Sequence, residues 1–336
     1  MRMDVIVLGA GPAGCAVSIE CARVGLTVRL IDPCTTLCRL PGETLHPAGE
    51  TMFRALGILD EMERENFLRH SGYWSGPSGH QVWQPYSTDP RANWCCYQAL
   101  RPEFDQILHS RAQRAGVILD RESRPVNVIR EGSRVVGLIT NREEHRSKFV
   151  VDATGRSAWL AAKSDLRVVS ASPQLIARYG WVEKPTAAEQ PRFCIESGAY
   201  RWTAPVKPGL VAWTRLDLSN CKHPGQAKDV TWKVTLPSAG PGYFLVGDAG
   251  FTLDPAFSRG VLKALMSGMV AAKAIADILR GVKDEVSQTR GYTRWMRDWF
   301  YADASTLLDM YSRFECPPAW IASSREILRS IRNRPC

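Results

Sequence analysis

The sequence predicts an α/β protein in which a doubly wound nucleotide-binding sheet is interleaved with a smaller, mostly antiparallel β-sheet domain and followed by C-terminal helices. Three observations predict it. A strand-length apolar run, Met3 to Leu8, breaks at Gly9-Ala10-Gly11-Pro12-Ala13-Gly14 and opens into a helical stretch, Cys15 to Val24. Two later strands, ending at Asp152 and at Gly247-Asp248, run into small-residue turns that return the chain to the ligand end of a parallel sheet. Between them, residues 168–236 carry aromatic residues in alternation, the period of a sheet with two unlike faces.

The first block reads as a βαβ dinucleotide site. Gly9 permits the tight turn, Gly11 lets a pyrophosphate approach the backbone, and Gly14 lets helix and strand pack closely, so the helix N-terminus faces the anion. A second strand, Thr27 to Ile31, ends at Asp32, 18 residues past Gly14, where a carboxylate accepts from a ribose hydroxyl. The segment Arg39-Leu40-Pro41-Gly42-Glu43-Thr44-Leu45-His46-Pro47 is too rich in Pro and Gly for a helix and reads as a loop at the ligand end of the sheet. Ala48 to Leu59 reads as a helix. Residues 72–94 are irregular and aromatic, an excursion into another sheet. The helix that follows Leu100 carries Phe104, Ile107, Leu108 and Ala112 at helical spacing and stops at Gly116. Strands at Val117–Asp120, Pro125–Ile129, Arg134–Thr140 and Lys148–Asp152 follow, the last three as a meander.

The second β region holds Leu175–Val182, Phe193–Ile195, Tyr200–Pro205, Leu210–Leu216 and Val230–Leu236. Tyr179 with Trp181, and Tyr200 with Trp202, fall two apart and share a sheet face, as core packing or as a ligand wall. A buried strand from Tyr243 ends at Gly247-Asp248. A loop through Pro255 leads to the helix Val261–Leu279, rich in Ala, Gly, Ser and Met, whose N-terminus offers unpaired N–H groups to an anion. An amphipathic helix, Thr289–Phe314, breaks at Cys316-Pro317-Pro318, and a short basic helix closes the chain. Residues 1–72, 99–167 and 237–285 are expected to form the nucleotide domain, 73–98 and 168–236 the substrate domain, and 286–336 a helical segment.

With 336 residues, 45% hydrophobic and 23% charged, the chain has ordinary globular composition and can bury a large core. It carries no apolar run of membrane-spanning length, and Met-Arg-Met-Asp leads into a strand without a signal-peptide cleavage site, so a cytoplasmic location is expected. The net charge of +9 is spread rather than gathered into a nucleic-acid module, which argues against nucleic acid and for an acidic protein partner or plain solubility. The ten cysteines form no metal-ligand quartet and no C-x-x-C pair, so reduced thiols and no metal site are expected.

Taken together, Gly9 to Gly14, Asp152 to Ser157 and Gly247-Asp248 through Gly260 resemble the FAD-binding signature of group A flavin monooxygenases and their geranylgeranyl-reductase and tryptophan-halogenase relatives. The resemblance implies a Rossmann-like FAD-binding domain of the para-hydroxybenzoate hydroxylase type. It implies that Pro12 and Ala13 join the three glycines at the pyrophosphate, that Asp32 holds the adenosine ribose, and that Arg39 and Arg101 reach the dinucleotide. It places Asp248 at the ribityl chain and the turn of Ser258, Gly260, Val261 and Leu262 under the isoalloxazine, with Gly155, Gly247 and Pro255 as further cofactor-binding positions.

Within that group, the Leu40–Pro47 segment, Trp202-Thr203-Ala204-Pro205 and Leu253-Asp254-Pro255 running into Gly260–Gly268 are most similar to flavoproteins that mature tryptophan-derived quinone cofactors. That likeness implies oxygenation of a Trp side chain in the precursor of a quinone-cofactor amino-acid oxidase, with molecular oxygen and NAD(P)H or another electron donor as co-reactants. Glu43 and His46 are the candidate catalytic residues for the proton lost on rearomatisation, because their loop leaves a strand at the ligand end. The alternatives are a small-molecule monooxygenase or halogenase, a double-bond reductase, or a non-catalytic flavoprotein chaperone of the precursor. Halogenases carry a Lys past the glycine-rich region and a W-x-W-x-I-P stretch. Here no Lys precedes Lys148, and the second pattern reads Tyr200-Arg201-Trp202-Thr203-Ala204-Pro205.

Overall fold

The computed structural model describes residues 3–34, 43–89, 94–183, 190–218 and 226–334. Met3–Leu8 is the buried centre of an eight-stranded sheet, pairing in parallel with Val28–Ile31 on one side and with Glu144–Asp152 on the other. Ile118–Asp120 extends the sheet beyond Val28–Ile31, and Tyr243–Leu245 extends it beyond Asp152. Val5, Ile6 and Val7 are fully buried, as a strand covered on both faces requires. Three strand ends therefore converge on one edge, and each is followed by one of the small-residue turns.

The helix Pro12–Arg23 packs on the 20-residue helix Gly260–Leu279. The approach is close because a Cβ at Gly268 would meet the Ala13 carbonyl oxygen at 2.6 Å. Glycine there is a packing requirement, and the Ala/Gly/Ser face of the second helix follows from it.

A seven-stranded sheet lies apart from the first, in the order Gln226–Asp229, Ile176–Glu183, Leu210–Asp217, Ala199–Lys207, Arg192–Glu196, Gly72–Pro77 and Val82–Pro85. Its register sets Tyr179 opposite Thr214 and Thr214 opposite Trp202, so the three stand in one row across neighbouring strands. The helices Glu285–Tyr311 and Ile321–Arg332 complete the chain; the first is capped by Asp284, which accepts from the Ser287 amide at 2.8 Å. Among the described residues no helix is long and apolar enough to cross a membrane.

Four local expectations change. Glu43–Leu45 is a strand rather than loop, because Cys96–Ala99 supplies an antiparallel partner. The helix expected over Ala48–Leu59 is two, Gly49–Leu56 and Leu59–Arg64, divided at Gly57, whose φ of +70° ends the first. The irregular stretch from residue 72 is a hairpin, with Tyr73 opposite Gln84 and Trp74 opposite Trp83. The strand expected from Val230 begins at Lys233 and joins Arg167–Ser170 in a small separate sheet.

Candidate active site

A cavity is lined by the turns that follow strands of the eight-stranded sheet and by strands of the seven-stranded one. Gly11, Pro12, Ala13, Arg101, Gly155, Arg156, Gly247 and Asp248 line one side, and Thr44, Tyr179, Tyr200, Trp202 and Thr214 line the other. Pro255, Ser258, Gly260 and Val261 close it between them, while Leu262 is not part of the lining.

The nucleotide side is shaped by backbone. Gly9 has φ +94°, and a Cβ there would sit 2.5 Å from the Ala153 carbonyl oxygen; one at Gly14 would sit 1.8 Å from the Gly9 carbonyl oxygen. Gly11 is different, since a Cβ there would meet only the Arg101 guanidinium, at 3.6 Å. Gly9 and Gly14 thus build the turn, and Gly11 leaves room above it. No side chain caps the helix that starts at Pro12, so its first amides and positive dipole end face the cavity. Asp32, at the end of its strand, accepts from the amides of Ala10 at 2.9 Å and Cys34 at 3.0 Å, with Arg121 Nη1 3.4 Å away.

The second turn is held by Asp152, which accepts from the Thr154 amide, the Thr154 hydroxyl and the Leu160 amide. Burial raises the proton affinity of its carboxyl despite these bonds. Gly155 follows with φ +66°. In the third turn, Gly247 has φ +59° and packs on Ala13, and Asp248 meets two cations. Lys263 Nζ donates to Asp248 Oδ1 at 2.6 Å, and Arg156 Nε lies 3.5 Å from Oδ2. Burial alone would raise the Asp248 pKa, but the Lys263 and Arg156 charges and the Lys263 hydrogen bond outweigh it and hold the carboxylate below its usual range.

These residues fit a dinucleotide. The cradle over Gly11 has no side chain to fill it, and the buried Nε and Nη1 of Arg156 have no hydrogen-bond partner among the described residues. A donor set of helix amides, Arg101 and Arg156 suits an anionic pyrophosphate, and Asp32 suits a ribose hydroxyl. No group of three or more His, Cys, Asp or Glu among the described residues could hold a metal.

On the far side, Trp202 Nε1 donates to Thr44 Oγ1 at 3.0 Å, and Thr44 donates onward to Gln98 Oε1 at 2.8 Å. Tyr73 packs edge-on against Trp202 with ring centroids 5.5 Å apart. His46 is half-buried; its Nδ1 accepts from the Ala48 amide at 3.2 Å, which leaves the neutral ring its proton on Nε2. Burial first, and then the Arg259 charge, lower the His46 pKa from 6.5, with Asp303 opposing. Arg259 and Asp303 both line the cavity. Of the other sequence-derived candidates, Arg39 lies outside the described residues, as does the Glu43 side chain, whose backbone pairs with Ala99.

A pH dependence follows from His46. Its folded pKa lies below its unfolded one, so the unfolded chain takes up the proton first as pH falls; stability is full above pH 6.5 and declines below it. His70 and His145 are lowered by burial in the same sense. The melting temperature is expected to drop between about pH 7.5 and about pH 5.5, with a shallower slope in His46→Gln.

Reading the sequence for motifs missed Lys263, Arg156 and Thr44. Lys263 is 5% exposed although it stands in the first turn of a helix, and its one visible sign is a lone charge among Val, Leu, Ala and Met. Arg156 lay inside a recognised turn without a role. Thr44 meets Trp202 across 158 residues, a pairing that no local pattern reports.

Residues 4–171 match the model of the family described as FAD dependent oxidoreductase. The chain is 27% identical over 325 residues to a 1H-pyrrole-2-carbonyl-(peptidyl-carrier protein) brominase of Pseudoalteromonas luteoviolacea (strain 2ta16), covering 83% of this chain and 78% of the relative. It is 26% identical to a tryptophan 2-halogenase of Chondromyces crocatus, covering 91% and 67%. A solved structure described as peptidyl tryptophan dihydroxylase QhpG, essential for tryptophylquinone cofactor biogenesis, superposes with a TM-score of 0.74 at 21% identity, covering 97% of this chain and 79% of that one.

Proposed function

The chain belongs to the FAD dependent oxidoreductase family, and from that premise we propose that it is a monooxygenase hydroxylating a tryptophan side chain in the precursor of a quinone-cofactor amino-acid oxidase. Molecular oxygen and NAD(P)H or another electron donor are the co-reactants. The observation that carries this reading is the wall opposite the dinucleotide cradle, where Tyr179 and Trp202 stand in one row and Tyr73 braces Trp202. A flat aromatic slot of that kind suits an indole ring. The shared fold with a peptidyl tryptophan dihydroxylase supports a substrate held in a polypeptide.

FAD, when bound, supplies the reduction of dioxygen and the electrophilic oxygen that an electron-rich ring accepts. The protein does the rest. The amides at the start of Pro12–Arg23, with Arg101 and Arg156, would hold the pyrophosphate, and Asp32 would hold the ribose. Lys263 keeps Asp248 ionised and fixed, so Asp248 would be an oriented acceptor for a ribityl hydroxyl. Trp202, tethered by its N–H to Thr44, keeps one plane and so fixes the plane of a stacked ring. His46 in its Nε2–H form can donate a hydrogen bond from Nε2, and taking up a proton on Nδ1 would require breaking the Ala48 contact. We therefore assign the proton lost on rearomatisation to Glu43 and a donor role to His46.

Halogenation is the second reading, favoured by the two relatives. Against it, the Lys263 ammonium is engaged by the Asp248 carboxylate and by the Phe251 carbonyl at 2.6 Å, and the sequence holds no Lys before Lys148 where halogenases carry one past the glycine-rich region.

One experiment separates these. The FAD-loaded protein is given NADH, a flavin reductase, air, bromide and a quinone-cofactor oxidase precursor, and the precursor is mapped by mass spectrometry. Gain of oxygen on a Trp is the expected result; bromine on the ring, or an unaltered precursor, overturns it. Trp202→Ala is expected to keep its yellow colour and lose about tenfold or more in turnover, the effect of about 1.4 kcal/mol of ring positioning.

A further inference from the structure

Asp254 is a buried carboxylate for which the proposed reaction has no use. It is 6% exposed, lines the cavity, and is surrounded by aromatic donors: Tyr200 Oη donates to Oδ1 at 3.0 Å and Trp232 Nε1 to Oδ2 at 2.7 Å. The Ala256 amide adds a third bond at 3.1 Å. Tyr200, which also lines the cavity, stacks on Tyr311 with centroids 6.3 Å apart at 17°. Tyr311 stacks on Trp232 at 6.2 Å, and both touch Trp320, at 6.2 and 5.5 Å. Tyr200, Tyr311 and Trp232 are fully buried, and Trp320 is half-exposed. Packing alone explains stacked rings, but not a buried carboxylate bonded to both a phenol and an indole where the stack begins.

We infer that Tyr200, Tyr311, Trp232 and Trp320 form a relay carrying one-electron holes from the cavity wall to the surface, with Asp254 taking the phenol proton. This rests on flavin occupying the cavity but not on the identity of the substrate. The oxidant is a one-electron acceptor in the cavity, either light-excited oxidised flavin or a peroxide-derived radical left when dioxygen is reduced without a substrate. Tyr200 gives that oxidant one electron, and its hydroxyl proton crosses to Asp254. Electron transfer from Tyr311 or Trp232, and then from Trp320, refills Tyr200, which takes its proton back. Trp320 is left one electron short and is restored by one electron from a soluble thiolate, two such events making one disulfide. Burial raises the proton affinity of Asp254, and burial with the Asp254 charge keeps Tyr200 a neutral phenol, so the proton has a donor and an acceptor. The consequence is protection: oxidising equivalents leave before they damage the cavity.

The test irradiates the FAD-loaded protein with blue light in air, with catalase and no thiol, and maps oxygen addition by mass spectrometry. Trp94, 48% exposed and outside the stack, reports any diffusing oxidant. Expected is oxidation on Trp320 well above that on Trp94, falling severalfold in Tyr200→Phe, with damage moving to peptides holding Tyr200 or Tyr311 in Trp320→Phe. Trp94 oxidised as heavily as Trp320, or an unchanged map in both variants, overturns the relay. A colourless protein would instead defeat the flavin reading. Both substitutions keep a ring in place, and melting curves check that each variant is folded.

Discussion

Gly14→Val is expected to purify without flavin, whereas Gly25→Ala, at a position with left-handed backbone and open space, is expected to stay yellow. At Gly14 a Cβ would lie 1.8 Å from the Gly9 carbonyl oxygen, 3.0 Å from the Gly9 carbonyl carbon and 3.2 Å from Ala153 Cβ. Two of those atoms belong to the turn that aims the helix amides, so relieving the overlap means moving the pyrophosphate site itself. Overpacking of this sort costs about 1–3 kcal/mol, which a chain of this size survives. Gly25 has φ +88° and nothing within 4 Å of a built Cβ, so Ala there adds about 1–2 kcal/mol of backbone strain without touching the site. The two variants should therefore melt at similar temperatures and differ in colour. The ratio of flavin to protein absorbance, read beside circular dichroism, checks it. Flavin retained at wild-type stoichiometry in Gly14→Val would remove the turn from the binding site.

What the sequence disclosed and what it withheld divide along a physical line. The three turns were legible because each is a local backbone demand: Gly9, Gly155 and Gly247 all adopt positive φ at a strand end, and only a few residue types tolerate that. The faces of the aromatic strands were legible because their period is two. The strand at Glu43–Leu45 was not, since a Pro- and Gly-rich run looks like loop until Cys96–Ala99 pairs with it. The break at Gly57 shows in the sequence only as a glycine near the end of a helical pattern, and its positive φ is what divides the two helices. His46 was legible as a site residue by position, yet its tautomer depends on the Ala48 amide, a contact that only the folded loop creates. Lys263 and Asp254 were hidden for another reason. Both lie in stretches that carry the resemblance, a loop and the helix after it, but what makes each chemical is a partner brought from another element: Asp248 for the first, Tyr200 and Trp232 for the second.

The hidden lysine carries the other large effect. Lys263 stands in the first turn of Gly260–Leu279, where the helix dipole disfavours a cation, and it is almost wholly buried. A lysine is stable there only because Asp248 and the Phe251 carbonyl accept its hydrogen bonds and the Phe251 ring centroid lies 4.5 Å from Nζ. Lys263→Met preserves the length of the side chain and removes the charge, leaving Asp248 with Arg156 at 3.5 Å and the more weakly acting Lys228 charge. Breaking one half of a buried pair costs about 3–5 kcal/mol; Asp248 keeps a second cation and some solvent, so the low end, about 3 kcal/mol, is expected in denaturant unfolding. The pH profile should change with it. In the parent chain the Asp248 pKa is depressed, so its contribution is present above the unfolded value of 3.8 and lost as pH falls through the folded one. Without Lys263 the burial effect dominates, the folded pKa rises, and the variant gains on the parent as pH falls because protonating Asp248 relieves the unpaired charge. A Lys263→Met, Asp248→Asn double variant removes both charges and should recover most of the stability at neutral pH. It should not recover FAD affinity, because the oriented carboxylate is gone. Stability and flavin affinity restored together would reduce the pair to a structural contact; stability restored with weak flavin binding assigns it to the cofactor.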